Sequence, residues 1–132
     1  MNALTYQETS SKNIVAFQME TSRLHELLLT IGIPPNLYGY RYIMYCLELI
    51  STNPEYLKHI TKGLYIDVAR HFKTTPSGIE RAIRHAINRT WMYGNLDFIN
   101  RLFVNSIRSD KGVPTNTAFL ARLYYYIINM DN

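Results

Sequence analysis

The chain has 132 residues, of which 47% are hydrophobic, and this is enough for one domain with a well-formed core. No apolar run reaches the roughly 18 residues of a transmembrane helix, and the start of the chain lacks a secretion signal, so we expect a cytoplasmic protein without a membrane contact. The net charge of +4 is modest, and the single cysteine, Cys46, excludes an internal disulfide and a cysteine-based zinc site.

Apolar residues at helical spacing run through most of the chain after residue 20. Residues 1–20 are mixed in polarity and weakly periodic, so we interpret them as a flexible tail before a helical domain of residues 21–132. In chain order, the spacing predicts helices at residues 24–31, 40–50, 54–60, 64–72, 76–91, 96–103 and 115–127, with a polar loop over residues 105–114. The pattern predicts an all-α, compact domain of about six helices. Cys46 has apolar neighbours and is expected to be a buried thiol.

Residues 64–91 have the pattern of two helices joined by a tight turn. Thr75 can cap the second helix through its hydroxyl, and Pro76 suits the first helical position because an N–H there has no partner within the helix. Lys73 stands where such turns often carry glycine, so either it adopts an unusual backbone angle or the turn differs. The pattern predicts a helix-turn-helix.

The second of these helices separates into two faces. Its apolar face consists of Ile79, Ala82, Ile83, Ala86, Ile87 and Trp91. Its polar face consists of Ser77, Glu80, Arg81, Arg84, His85 and Asn88. Arginine, histidine and asparagine can reach base edges in DNA, whereas a helix that needs only solubility is served as well by lysine and glutamate. The pattern indicates DNA reading, although by itself it leaves open an ordinary solvated face.

The positive charge is concentrated around this helix pair. Residues 62–90 contain six lysines or arginines against two acidic residues, an excess equal to the net charge of the whole chain. A local positive surface is what contact with DNA phosphates requires. The alternative is a basic surface without a partner, which the coincidence with the helix pair makes less attractive.

Motifs for catalysis or metal binding are absent from the sequence. There is no glycine-rich phosphate loop, no His-Glu-x-x-His and no nucleophile with a base at motif spacing. The four histidines show no ligand-pair spacing. We therefore expect that the protein is not an enzyme and that it holds neither a metal nor a cofactor. The run Tyr124-Tyr125-Tyr126 covers most of a helical turn, so at least one ring must face outward, where it could serve a protein contact.

Several runs of residues, spread over residues 22–127, carry a resemblance to a known family. They are 31–34 with 39–40, 60–65, 80–87, Trp91, 94–97 and 114–116. These runs resemble the effector domain of stage zero sporulation protein A. The resemblance implies a transcription factor of endospore-forming bacteria. Members bind short DNA boxes with a core like TGTCGAA, often as tandem pairs, and contact the RNA polymerase sigma subunit.

The resemblance also implies roles for individual residues. Base and phosphate contacts of the family fall on Glu80, Arg81, Arg84 and His85. Together with the turn and the polar face, the predicted DNA-binding residues are Lys73, Thr75, Ser77, Glu80, Arg81, Arg84, His85 and Asn88. Gly78 departs from the many members that carry a basic residue there, so box preference is expected to differ. The polymerase-contacting region falls around residues 94–107 and the last helix, where Arg101, Asn105 and Arg108 differ from the family.

Control of the protein is also expected to differ from that of the family. Members carry an N-terminal receiver domain that accepts a phosphoryl group, whereas about twenty residues precede the resemblance here. We therefore expect a stand-alone effector domain that binds double-stranded DNA without phosphorylation and self-associates on tandem boxes through its last helix. The alternative is an adaptor or antagonist that keeps the fold and binds a regulator or RNA polymerase in place of DNA. The intact face with Arg81, Arg84 and His85 favours DNA binding.

Overall fold

Six α-helices build the part of the chain that the structure, a computed structural model, describes: residues 21–103 and 112–130. They are α1 (21–31), α2 (Tyr38–Thr52), α3 (Tyr65–Phe72), α4 (Pro76–Tyr93), α5 (Leu96–Phe103) and α6 (Asn116–Met130). These residues contain no strand, so the predicted all-α fold is confirmed. None of the helices is long and apolar enough to cross a membrane. The predicted tail and most of the predicted loop lie outside the described residues.

The connection from α2 to α3 differs from the single short helix predicted for residues 54–60. Pro54–Lys58 forms a 3-10 helix, and Ile60–Leu64 forms one wide π-helical turn that leads directly into α3. His59 separates them because its backbone is not helical, with φ −139° and ψ 56°. Asn53 begins the first piece, since its side chain accepts a hydrogen bond from the Glu55 N–H. The predicted short helix is confirmed at its start, but it is a 3-10 helix that ends at Lys58, and the π turn after it was not predicted.

The core is arranged around α4, which packs against α2, α3, α5 and α6. Its apolar face contributes four fully buried side chains, those of Ile79, Ile83, Ala86 and Ile87. Ala82 and Trp91, predicted on the same face, are only partly buried. Burying an aliphatic side chain of this size contributes about 1.5–3 kcal/mol, so this face holds α4 firmly in place. The polar face therefore has a fixed orientation toward solvent.

Cys46 is fully buried within α2, as predicted. Burial raises the pKa of its thiol well above the ordinary value, because the thiolate would be desolvated there. The thiol therefore serves as a small apolar group in the core.

Close approach of α2 to α4 depends on Gly39. A Cβ atom at this position would lie 2.4 Å from the Ala82 carbonyl oxygen and 2.6 Å from the Ala86 Cβ. Only glycine lets the two backbones come so near each other. This crossing fixes the side of α4 on which α2 lies, and it leaves the polar face of α4 uncovered.

The end of α1 is bound to the turn between α4 and α5. The Asn95 N–H donates to the Ile31 carbonyl oxygen at 3.0 Å. Gly32 follows with φ +96°, and a Cβ there would lie 2.8 Å from the Gly94 Cα. The left-handed backbone and the lack of space both require glycine at this position. The contact ties the first helix of the domain to the far end of α4.

Candidate nucleic-acid interface

The turn between α3 and α4 has the geometry of a helix-turn-helix. Lys73 ends α3 in the left-handed region, with φ 57° and ψ 47°, and the Thr74 N–H donates to the Ala69 carbonyl oxygen at 2.9 Å. Thr75 then begins α4, because its Oγ1 accepts from the Gly78 N–H at 3.0 Å. Pro76 takes the first helical position. The prediction of a helix pair with a Thr75 cap is confirmed, and of the two alternatives left open at Lys73 the structure has the unusual backbone angle.

The polar face of α4 consists of two parallel rows, because residues four apart are neighbours on a helix. One row contains Glu80, Arg84 and Asn88, and the other contains Arg81, His85 and Arg89. The Glu80 row borders the start of α6 and lines a cleft of about 440 Å³. The Arg81 row lies beside Ala82 and Ala86, where α2 crosses, and so belongs to the opposite edge of the face.

Arg84 is held in place by Glu80. Its Nη1 lies 2.8 Å from the Glu80 Oε1, and 56% of the arginine side chain remains exposed. An exposed ion pair of this kind contributes at most about 1 kcal/mol, so a stronger acceptor can replace the carboxylate. The pair therefore favours one conformation of the arginine without removing it from reach of a ligand.

Arg81, His85 and Asn88 are exposed. Within residues 21–103 and 112–130, no hydrogen bond or ion pair holds their side chains. Their donors therefore face water and are available to an external acceptor. An arginine can offer two parallel N–H groups to one guanine or one phosphate.

The start of α4 brings the remaining predicted residues together. Ser77 lies next to the cap, with its Oγ 3.4 Å from the Thr75 Oγ1, and both residues are exposed. Lys73 is exposed in the turn just before them. A helix start concentrates free backbone N–H groups and a partial positive charge, so an anion beside these three residues is stabilised.

The basic residues of segment 62–90 are all exposed, but the structure does not gather all of them beside the turn and the first half of α4. The Arg70 Nη1 lies 3.5 Å from the Asp67 Oδ1, on α3. Arg89 lies over the Tyr93 ring at 4.8 Å, near the far end of α4. Lys73, Arg81 and Arg84 are the basic residues that belong to the turn and to the first half of α4. The local positive surface is thus narrower than the sequence segment suggested.

Two residues of this region were missed by reasoning from the sequence. Asn116, the first residue of α6, donates from its Nδ2 to the Tyr65 hydroxyl oxygen at 3.1 Å and to the Glu80 carbonyl oxygen at 3.0 Å. Tyr65 is buried, which raises the pKa of its hydroxyl to about 12. These partners lie 51 and 36 residues away from Asn116 in the sequence, so no local pattern could have found them.

Acidic, histidine and cysteine side chains do not gather into a metal-binding group in the described residues. His71 is stacked on Tyr45 with ring centroids 4.0 Å apart, and the His25 ring packs edge-on against Tyr40. Both rings take part in aromatic contacts on α2 and lie on elements other than α4.

The protein family described as "Sporulation initiation factor Spo0A C terminal" matches residues 24–127. The chain belongs to this family. The matched residues include α3, α4 and the turn between them, and they agree with the predicted resemblance over residues 22–127. The family is a DNA-binding regulatory domain and not an enzyme family, so the chain is a DNA-binding regulator of the sporulation type.

Proposed function

We propose that the protein is a sequence-specific transcriptional regulator in the cytoplasm that reads a TGTCGAA-like box with α4. One observation carries the proposal: the exposed face of α4, with Arg81, Arg84, His85 and Asn88, belongs to the second helix of a helix-turn-helix. In such motifs the second helix enters the major groove, while the first crosses the backbone. This placement would bring the start of α4 to the phosphates and its middle to the bases.

The dimensions of α4 agree with a short box. Residues 77–88 span about 16 Å at 1.5 Å per residue, which matches roughly five base pairs at 3.4 Å each. Lys73, Thr75 and Ser77 would contact phosphates at one end. The side chains from Glu80 to Asn88 would face base edges. The side chains of α4 would therefore cover about five of the seven base pairs in the core of the box.

A second surface supports contact with another protein in addition to DNA. Met92, Tyr93 and Leu96 are 70%, 72% and 52% exposed at the turn between α4 and α5. Neighbouring exposed apolar side chains of this kind favour a protein contact. Leu96 lies within residues 94–107, the region that the resemblance assigns to the RNA polymerase sigma subunit, and Met92 and Tyr93 directly precede it. The same surface would serve the alternative function, an adaptor that binds a regulator or polymerase in place of DNA.

A gel-shift comparison separates the two functions. The purified protein is titrated against a duplex with TGTCGAA and against a duplex of the same composition with the box scrambled, at one fixed salt concentration. We expect tighter binding to the box by about tenfold or more, since specific binding exceeds non-specific binding by large factors. Equal affinity for both duplexes would contradict sequence reading and favour the adaptor.

A further inference from the structure

Asn116 joins three parts of the fold that are distant in the sequence. Its side-chain amide has two N–H groups, and its nitrogen lies within hydrogen-bond distance of the Tyr65 hydroxyl at the start of α3 and of the Glu80 carbonyl in α4. One amide thus connects the beginning of α6 with both helices of the helix-turn-helix.

The amide is not needed to begin α6. The neighbouring Thr115 already caps this helix, because its Oγ1 accepts from the Ala118 N–H at 3.1 Å. Asn116 instead directs its donors away from its own helix. Its hydrogen bonds therefore hold α6 against α3 and α4 rather than stabilising the start of α6.

The residue that accepts from Asn116 is also the residue that holds Arg84. The Glu80 carbonyl oxygen receives the amide at 3.0 Å, while the Glu80 carboxylate holds the Arg84 guanidinium at 2.8 Å. All three residues, together with Tyr65, line the same cleft. The width of that cleft beside Arg84 is therefore set by the contact between α6 and α4.

We infer that Asn116 is a positioning residue for base reading by Arg84, an inference that rests on the proposed function. By fixing α6 against the Glu80 backbone, Asn116 keeps the wall of the cleft in place and limits the conformations open to the Glu80–Arg84 pair. A side chain that is already ordered loses less entropy when it binds, so its contact with a base contributes more to specific affinity. Asn116 itself would touch neither base nor phosphate.

A double-mutant cycle tests this role. Box and scrambled duplexes are titrated with wild type, Asn116→Ala, Arg84→Ala and the double variant. We expect Asn116→Ala to lower the ratio of box to scrambled affinity by about three- to tenfold, the range of one hydrogen bond's net contribution. In the Arg84→Ala background the same change should alter the ratio by less than about twofold. Asn129→Ala, an exposed asparagine near the end of α6, is the matched control and should leave the ratio unchanged.

The outcomes separate positioning from a general structural role. The inference would be overturned if Asn116→Ala lowers the ratio of box to scrambled affinity equally in wild type and in Arg84→Ala, or lowers it in neither. Both outcomes would leave the proposed function intact. Circular dichroism and thermal unfolding establish that each variant is folded. If Asn116→Ala does not fold, Asn116→Asp takes its place in the cycle, because the carboxylate keeps the size of the side chain but has no N–H to donate. A wild-type protein without box preference would overturn the proposed function, and this inference with it.

Discussion

Arg81 and Arg84, on the polar face of α4, differ in whether another side chain holds them before a ligand binds. Arg84 is paired with Glu80, whereas Arg81 has no polar partner among the described side chains. An ordered arginine is suited to one defined base contact, and a free arginine can adapt to a base or a phosphate. Arg84 is therefore the better candidate for direct reading of a guanine.

We expect Arg84→Ala to weaken binding to the box and to relax base preference at one position. A bidentate arginine–guanine contact provides about 1–3 kcal/mol of discrimination, so the affinity for the box should fall by roughly five- to 150-fold. Competition with boxes substituted at each position measures the effect. Arg89→Ala removes the same charge from the far end of α4 and serves as the control. If Arg84→Ala weakens binding to scrambled DNA as much as to the box, Arg84 contacts only phosphate.

Lys73 combines an unfavourable backbone angle with a charge near the proposed phosphate contacts. Lys73→Gly should raise the free energy of unfolding by about 0.5–1 kcal/mol, since glycine adopts the left-handed region without a Cβ penalty but loses more entropy on folding. Lys73→Ala keeps the Cβ and should not stabilise the fold. Denaturant unfolding of both variants measures the difference.

The same two variants test the role of the lysine charge. Both remove one cation, so both should reduce the slope of log affinity against log salt by about one without changing box preference. Titration at several salt concentrations measures the slope. An unchanged slope in both variants would show that Lys73 does not contact phosphate.

At the scale of single elements, the sequence pattern predicted the features that depend on residues close together in the chain. The Thr75 cap, the Pro76 start and the apolar face of α4 were all predicted, because each depends on residues within one or two helical turns. The region from Pro54 to Leu64 was predicted less well. Apolar spacing does not distinguish an α-helix from a 3-10 piece followed by a π turn.

Contacts between distant segments could not be predicted from periodicity. The close crossing at Gly39 and the amide bridge of Asn116 depend on how the helices assemble. Sequence patterns report which face of a helix is apolar, but they do not report which neighbour covers it. The candidate face of α4 was therefore predictable, whereas the residues that support it from α6 and α3 were not.

The crossing of α2 and α4 leads to a prediction at this scale. Gly39→Ala should lower the free energy of unfolding by about 1–3 kcal/mol, even though alanine favours helices, because its Cβ would collide with the α4 backbone. Arg41→Ala, an exposed position on the same helix, should change stability by less than about 0.5 kcal/mol. Thermal or denaturant unfolding compares the two variants. Unchanged stability of Gly39→Ala would mean that the helices can separate without loss.

At the scale of the whole molecule, the proposed DNA-binding surface needs no phosphorylated group. Every side chain assigned to DNA lies on α4 or in the turn before it, and α4 is fixed by a buried apolar face. We therefore expect the purified 132-residue protein to bind its box equally well with and without a small-molecule phosphodonor such as acetyl phosphate. Gel-shift titrations with both preparations measure this. A marked gain in affinity after treatment with the phosphodonor would contradict it.

We predict that the outer side of α6 forms a contact between two copies of the protein on tandem boxes. Of the three successive tyrosines, Tyr124 is buried and Tyr126 is partly buried, so Tyr125, at 50% exposed, is the ring that faces outward. Ile128 follows one turn later and is 41% exposed. Two side chains cover far less than the 1,200–2,000 Å² or so of a stable interface, so the free protein should be monomeric. Two adjacent boxes raise the effective concentration enough for the same contact to form.

Tyr125→Ala tests this contact together with its dependence on DNA. We expect wild type to bind each of two tandem boxes about two- to fivefold more tightly than a single box, because the second copy gains an apolar contact of a few tenths to 1 kcal/mol or so. The variant should bind single boxes as wild type does and lose the advantage on tandem boxes. Tyr38→Ala removes a ring that is 71% exposed on α2, and this control variant should keep the tighter binding to tandem boxes. Sedimentation of the free protein completes the test, since a stable dimer without DNA, or equal affinity per box in wild type, would contradict pairing through α6 on DNA.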